Sequence, residues 1–308
     1  MEKYIEECIL SLLNQTVPLS MLELIFVDDA SQDGTCAIIQ KYEQQYPDNI
    51  TLIVCKENGR QGTARNLGLS YATGEYIAFV DADDKAAPNM IQKMYEKIKL
   101  FNCDMVGCGY RLFADNGAYK DFTAREEKYN LSCDEDKKRY IIEHGSQNAV
   151  WLHMYRRMFL EENAIRFPEN IYMEDLYFHI MCMMQAETCY EMKDILYLYR
   201  ENQNGTIRTI DSRTFLDIVK VQDMAYTELI DKGLQKGFEE ELAVLYYVKS
   251  FMGPISNMEK QKNGIEWDDG IVEELKAAIL HHFPDICKNK YLNQDTSDYN
   301  MKYLRLLS

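Results

Sequence analysis

EYIAFVDADD, residues 75 to 84, is a short apolar run that stops in three acids, Asp81, Asp83 and Asp84. Tyr76, Ile77, Ala78, Phe79 and Val80 show no alternation, which predicts a strand buried on both faces, as in parallel sheets covered by helices. Acids at the C-terminal end of such a strand sit in the crevice where α/β sheets bind ligands. The acids alone carry little weight, since 50 Asp and Glu in 308 residues give roughly 8 acid-any-acid triplets by chance. Their position after a buried strand is the informative part. A carboxylate pair one residue apart suits a hard divalent cation that keeps waters and takes phosphate oxygens. The plainer alternative is that the acids cap the following helix, with Pro88 in its first turn.

The preceding segments frame this strand. Tyr4, Ile5, Cys8, Ile9, Leu12 and Leu13 recur at helical spacing, so the chain opens on an amphipathic helix. Leu22 to Val27 reads as a strand ending at Asp28 and Asp29, and Ser31 or Asp33 can cap a helix running to about Tyr46. Ile50 to Cys55 is the next strand and Gly62 to Ala72 the next helix. This alternation calls for right-handed parallel crossovers. Asp28/Asp29, Asn58/Arg60 and Asp81/Asp83 are therefore predicted on one edge. There Asp28 or Asp29 can accept hydrogen bonds from a nucleobase imide or ribose hydroxyl, or serve only as a helix cap. Asn58, Arg60 and Arg65 offer donors, with Arg65 either facing a diphosphate or forming a surface salt bridge.

Beyond the stretch, Ile91, Met94, Tyr95 and Ile98 mark an amphipathic helix, and Asp104 to Phe113 a strand followed by a loop or hairpin to Asn130. Ser132 and Glu135 form a capping-box pattern for a helix ending at Gly145. Further helices are predicted over Val150 to Glu162 and from about Tyr172, and strands over Thr188 to Met192 and Ile195 to Arg200. From Arg213 the pattern is helical, with breaks near Gly233/Gly237, Gly253/Pro254, Gly264 and Pro284. The expected division is residues 1–211 and a helical region, 212–308.

Composition narrows the function classes. A net charge of −16 argues against nucleic acid or an anionic membrane as the main partner, since both need a positive field. No apolar run approaches the roughly 18 residues of a membrane span, and acids stand where a signal peptide carries its basic segment, so a cytoplasmic chain is expected. Nine scattered cysteines with no CxxC pair read as buried thiols.

Four blocks, VDDASQDGT (27–35), ENGRQGTARNLGL (57–69), ATGEYIAFVDADD (72–84) and YMEDLYF (172–178), resemble those of the family 2 glycosyltransferases, in the family's order and approximate spacing. WLHMYRRMFLEENAIRFPENIYMED (151–175) is similar to the segment preceding the fourth block in bacterial polysaccharide-type members. The resemblance spans roughly residues 1–210. It implies the GT-A fold: α/β, Rossmann-like, a mixed sheet flanked by helices, here with a helical C-terminal region. It implies that Asp29 contacts the nucleotide base with Asp28 supporting, and that Asn58 and Arg65 line the nucleotide-diphosphate site. Asp81 and Asp83 match the family's DxD pair for Mn2+ or Mg2+, Asp83 toward the metal and Asp81 toward the ribose. Asp175 matches the catalytic base, and Glu174 the residue that orients the acceptor. Tyr199, Arg200 and Thr206 resemble a late segment that closes over the diphosphate, with Thr206 where Ser is usual.

The implied reaction moves a sugar from a nucleotide-diphospho-sugar, expected to be a UDP-sugar, to the hydroxyl of a saccharide or lipid-linked acceptor, with inversion, in polysaccharide or glycolipid biosynthesis. Lipid-linked acceptors leave peripheral membrane association open, and nothing fixes the oligomeric state. Two departures stand out. The family has a strand before the first helix, which in the order 3-2-1-4 lies between Leu22–Val27 and Tyr76–Val80; a form truncated there leaves two central strands short of backbone partners, unless they close up or another segment fills the gap. Trp151-Leu152-His153 stands where relatives commonly have Trp-Asn-Lys, so His153 is a site residue or a structural one. The alternatives are a relic that binds nucleotide weakly or serves as an interaction protein, and a phosphatase of the haloacid dehalogenase type, which Lys85 disfavours.

Overall fold

A computed structural model describes residues 1–202, 215–260 and 269–307. Thr206 and the expected boundary near residue 211 lie outside them. The chain forms two compact units. The first comprises Met1–Ser132, Ala149–Asn170 and Ala186–Gly205, and the second Cys133–Asn148, Ile171–Gln185 and Thr206–Ser308. Two segments that precede residue 211 thus group with the residues that follow it. The apolar sides of their helices explain this: Tyr140 and Ile141 of the one, and Leu176, Ile180 and Met184 of the other, are buried.

In the first unit, α1 (Ile5–Leu13) buries Ile5, Cys8, Ile9 and Leu12. β1 (Leu24–Asp28) and β2 (Ile50–Val54) make a two-stranded parallel sheet, joined through α2 (Thr35–Gln45). α3 (Arg60–Tyr71) leads to β3 (Tyr76–Ala78), the strand of the quoted stretch. β3 is half-buried except at Ile77, and it pairs antiparallel with β8 (His153–Arg156). β3 thus finds its backbone partner in β8 rather than in a sheet with β1 and β2. Residues 153–156 had the periodicity of a helix, yet they lie between β3 and β5 (Met105–Phe113), where backbone pairing on both edges outweighs local preference. The helix predicted over Val150 to Glu162 is split into a 3-10 turn at Val150–Leu152 and α6 (Arg157–Glu162), with β8 between them.

The larger sheet has the order β3-β8-β5-β9-β4, with β4 (Lys85–Ala86), which leads into α4 (Met90–Phe101), and β9 (Thr188–Arg200) completing it. β6 (Tyr119–Phe122) pairs with β5 and β7 (Glu127–Asn130) with β9. β5 and β9 run parallel while the other pairs are antiparallel, so the sheet is mixed. The two strands predicted before Arg200 are one, with register shifts around Gly109. β1 and β3 share no backbone hydrogen bonds, though Leu24, Phe26, Tyr76 and Ala78 pack against the same core around Met94, Val106 and Met154. Those two strands do not close up.

The second unit is helical. α5 (Asp134–His144) starts at Cys133 without a side-chain cap, so the Ser132/Glu135 capping box is not formed. α7 spans Glu174–Gln185. Further helices cover Phe215–Asp231, Glu239–Tyr246, Gly253–Lys260 and Asp269–His282. The expected break at Gly253/Pro254 is bridged by π-helical winding over Tyr247–Met252, where the Gly253 N–H reaches back to the Val248 carbonyl. No helix among the described residues is long and apolar enough to cross a membrane.

Candidate nucleotide and metal site

β1 delivers Asp28 and Asp29. Asp28 is buried, and its Oδ2 accepts the Ser31 N–H at 3.1 Å, tightening the turn in which Ala30 takes a φ of 59°. Asp29 Oδ1 accepts the Gly59 N–H at 2.8 Å, and its carbonyl accepts Asn58 Nδ2 at 3.1 Å. The acid at the end of β1 therefore ties down the loop that opens α3, where Arg60 takes a φ of 66°. Left-handed backbone at Ala or Arg costs roughly 1–3 kcal/mol and persists only where surrounding contacts fix it. The sequence gives no signal for these two turns, because neither position is Gly or Asn.

α3 delivers Arg65, whose Nη2 donates to Asp81 Oδ1 at 2.9 Å with both side chains mostly buried. The guanidinium also lies over the Phe167 ring, 5.5 Å from its centroid. Phe167 is pinned in turn: its N–H donates to Asn66 Oδ1 at 2.9 Å, and its carbonyl accepts Asn66 Nδ2 at 2.8 Å. One turn of α3 thus sets the place of Arg65 from two sides.

The acid turn after β3 is the centre of the site. Asp81 N–H donates to the Tyr197 hydroxyl at 3.0 Å, and Asp84 N–H to the Asp81 carbonyl at 3.0 Å. Asp83 Oδ2 accepts Asn202 Nδ2 at 3.1 Å. Asp84 points inward. It is 1% exposed, accepts the Tyr197 hydroxyl at 2.8 Å and the Arg200 N–H at 2.7 Å, and is pushed up to about 8 by burial and by the charge of Asp81. Burial, with the charges of the three acids behind it, pushes the Cys8 thiol up to about 12. Asp84 therefore holds the turn from below, while Asp81 and Asp83 remain partly exposed.

Arg200, expected over a diphosphate, is 5% exposed. Its Nε donates to the Asp83 carbonyl at 2.9 Å, Nη1 to Asp115 at 2.6 Å and Nη2 to Glu7 at 2.8 Å. It also lies over the Tyr4 and Phe113 rings. Burial opposes its charge, yet the bonds to Glu7 and Asp115 carry it above the ordinary guanidinium range. Arg200 here fastens the acid turn to α1 and to the end of β5. Tyr199 stacks with Trp151, which stacks in turn on Tyr197. Tyr197 and Asn202 were missed from sequence, since they reach the acids across more than 110 residues. Asp84 stands in the motif, where the sequence offers it only a helix-capping role.

Glu174 and Asp175 belong to the second unit. They form the first turn of α7, Glu174 buried and Asp175 half-buried, next to Met173 at a φ of 64°. In the same unit, the Lys249 ammonium donates to Asn148 Oδ1 at 2.5 Å; burial lowers its pKa and the charge of Asp175 opposes the shift.

The model of the Glycosyl transferase family 2 matches residues 1–163, more than half of the chain. The chain belongs to glycosyl transferase family 2. Among its relatives is the Bacillus subtilis glycosyltransferase EpsJ, 30% identical over 79% of this chain and 66% of that sequence. Another is TuaG of the same organism, named for teichuronic acid biosynthesis, 31% identical over 66% of this chain and 75% of that one. This family 2 chain thus spans about two thirds of the length of EpsJ. Among solved structures it is similar to S. aureus TarS 1-349, with a TM-score of 0.74 and 21% identity over 99% of this chain and 87% of that one. That likeness shows the shared GT-A fold. TarS 1-349 has also been solved in complex with UDP-GlcNAc and with UDP.

Asp81 and Asp83 fit a divalent cation by their donor set. Both offer hard carboxylate oxygens on a fixed turn, and Arg65 and Asn202 each occupy only one oxygen of the respective acid. His153 is buried, and its Nε2 lies 3.1 Å from Glu191 Oε1.

Proposed function

We propose that this chain transfers a sugar, with inversion, from a nucleotide-diphospho-sugar of the UDP class to an acceptor hydroxyl in the assembly of a polysaccharide or glycolipid. The observation that carries this reading is the acid turn. Asp81 and Asp83 are presented at the surface by a buried scaffold of Asp84, Tyr197 and Arg200, beside the Arg65 guanidinium. Family membership, the relative named for teichuronic acid biosynthesis and the UDP-bound TarS structures support it.

In this reading residues 1–211 do the transfer chemistry and 212–308 form a helical appendage. Asp29, with Asp28 behind it, receives the base, and Asn58 lines the nucleotide. Asp83 and Asp81 would hold Mn2+ or Mg2+, which when bound neutralises charge on the diphosphate. Arg65 adds positive charge beside that group, so that the departing nucleoside diphosphate meets fixed charge rather than reorganising water. Asp175 takes the proton of the acceptor hydroxyl as it attacks from the face opposite the leaving group, and Glu174 orients the acceptor. Arg200 acts on the diphosphate only through the turn it holds, and Thr206 closes over that group as the family resemblance implies. The acceptor is a saccharide or a lipid-linked one, met at the cytoplasmic face of the membrane.

A competing reading, a relic that binds nucleotide weakly, draws on the absence of backbone pairing between β1 and β3. A donor screen scored by nucleotide release separates them. The enzyme turns over one nucleotide-sugar, and Asp175→Asn abolishes turnover while leaving donor binding in place. Full turnover by Asp175→Asn sinks the assignment of the base, and no release with any donor supports the relic.

A further inference from the structure

On the face of the large sheet opposite Val106 and Met154, one rung carries His153 on β8, Gly107 on β5 and Glu191 on β9, each paired with the next. A Cβ at Gly107 would stand 2.0 Å from Glu191 Oε2, so only glycine leaves room for the carboxylate to lie over the central strand. There Glu191 Oε1 lies 3.1 Å from His153 Nε2 and 3.4 Å from Cys189 Sγ. All three ligand atoms fall within 4.8 Å of one another, and all three residues are at most 2% exposed.

From this geometry we propose that His153, Cys189 and Glu191 form a site for a borderline-soft divalent cation of the zinc type, separate from the DxD acids. Ligands about 2.0–2.3 Å from a tetrahedral ion stand roughly 3.3–3.6 Å apart; the Cys189–Glu191 separation of 3.4 Å is of that size, and the His153–Glu191 separation of 3.1 Å falls just short of it. The mixed nitrogen, sulfur and oxygen set favours zinc over the hard cations suited to Asp81 and Asp83. β8 and β9 hold the ligands on either side of β5, so the site is preorganised by backbone pairing across three adjacent strands. On binding, the Cys189 thiol gives its proton to solvent and the thiolate sulfur bonds the ion. Affinity therefore rises with pH.

The test uses the full chain, stripped with a chelator, then titrated with Co2+ and, separately, reloaded with Zn2+ and gel-filtered. Near-ultraviolet thiolate-to-cobalt absorption is expected, with about one zinc retained per chain and a raised Tm. Cys189→Ser abolishes the band and Asp83→Ala leaves it, which separates this site from the DxD acids. Should Cys189→Ser not fold, His153→Gln serves, with the band weakened at least tenfold in affinity. No band and no retained zinc in the wild type overturns the site, as does a band that survives Cys189→Ser.

Discussion

Gly107→Ala tests the rung directly, without any assumption about ligands. The new methyl would sit 2.0, 2.6 and 2.7 Å from Glu191 Oε2, Cδ and Oε1, all far inside van der Waals contact. The carboxylate must move, and with it go the contacts to His153 and Cys189. Overpacking of this kind costs roughly 1–3 kcal/mol, and a lost charge-assisted hydrogen bond about 1.5–3 kcal/mol. Replacing Gly by Ala in extended backbone returns about 0.5–1 kcal/mol through the unfolded chain. The net expectation is a loss of about 1.5–5.5 kcal/mol, read as a lowered urea midpoint at unchanged slope. Gly107→Ala/Glu191→Ala removes the clash, so in the double mutant the methyl adds little to the cost of Glu191→Ala. A Gly107→Ala chain within about 0.5 kcal/mol of wild type, or full additivity of the two changes, refutes the packing argument.

Other outcomes follow from the acid turn. Asp84 titrates at about 8 in the folded chain against 3.8 as a free side chain, so the folded state holds an extra proton between those values. Its contribution to stability is full below pH 3.8 and is lost as pH rises through about 8. In EDTA, Asp84→Asn should flatten the fall of stability over that window, a slope of up to about 1.4 kcal/mol per pH unit, as read by urea titration at several pH values; an unchanged slope contradicts the burial assigned to Asp84. Arg200→Lys keeps the charge but cannot fork to Glu7, Asp115 and the Asp83 carbonyl. A loss of about 1–3 kcal/mol is expected, together with weaker Mn2+ affinity at the turn it fastens. Unchanged Mn2+ affinity would show that the turn does not depend on Arg200.

Much of this cluster was legible in the sequence, because its parts are local. The strand ends at Asp28 and Asp29, the helix bearing Arg65 and the DxD turn each announce themselves within about ten residues. What joins them was not legible. β8 carries a sequence with no alternation and becomes a strand only because β3 and β5 flank it. Tyr197 and Arg200 reach the acids from a strand more than 110 residues later, and no periodicity encodes such a partner. Arg200 was found for a different role, since sequence supplies the charge but not the Glu7 and Asp115 carboxylates that meet it. The Gly107 rung was invisible for the same reason: His153, Gly107 and Glu191 come from three strands, and only register places them side by side.

Whether the acid turn binds a nucleoside diphosphate through a divalent cation is measured by isothermal titration calorimetry of the full chain with UDP, with and without Mn2+. Metal-dependent binding on the order of micromolar, about −8 kcal/mol, is expected, with the metal-dependent part lost in Asp83→Ala. An absence of heat in the wild type, or an Asp83→Ala chain that binds UDP and Mn2+ as tightly as the wild type, would contradict it.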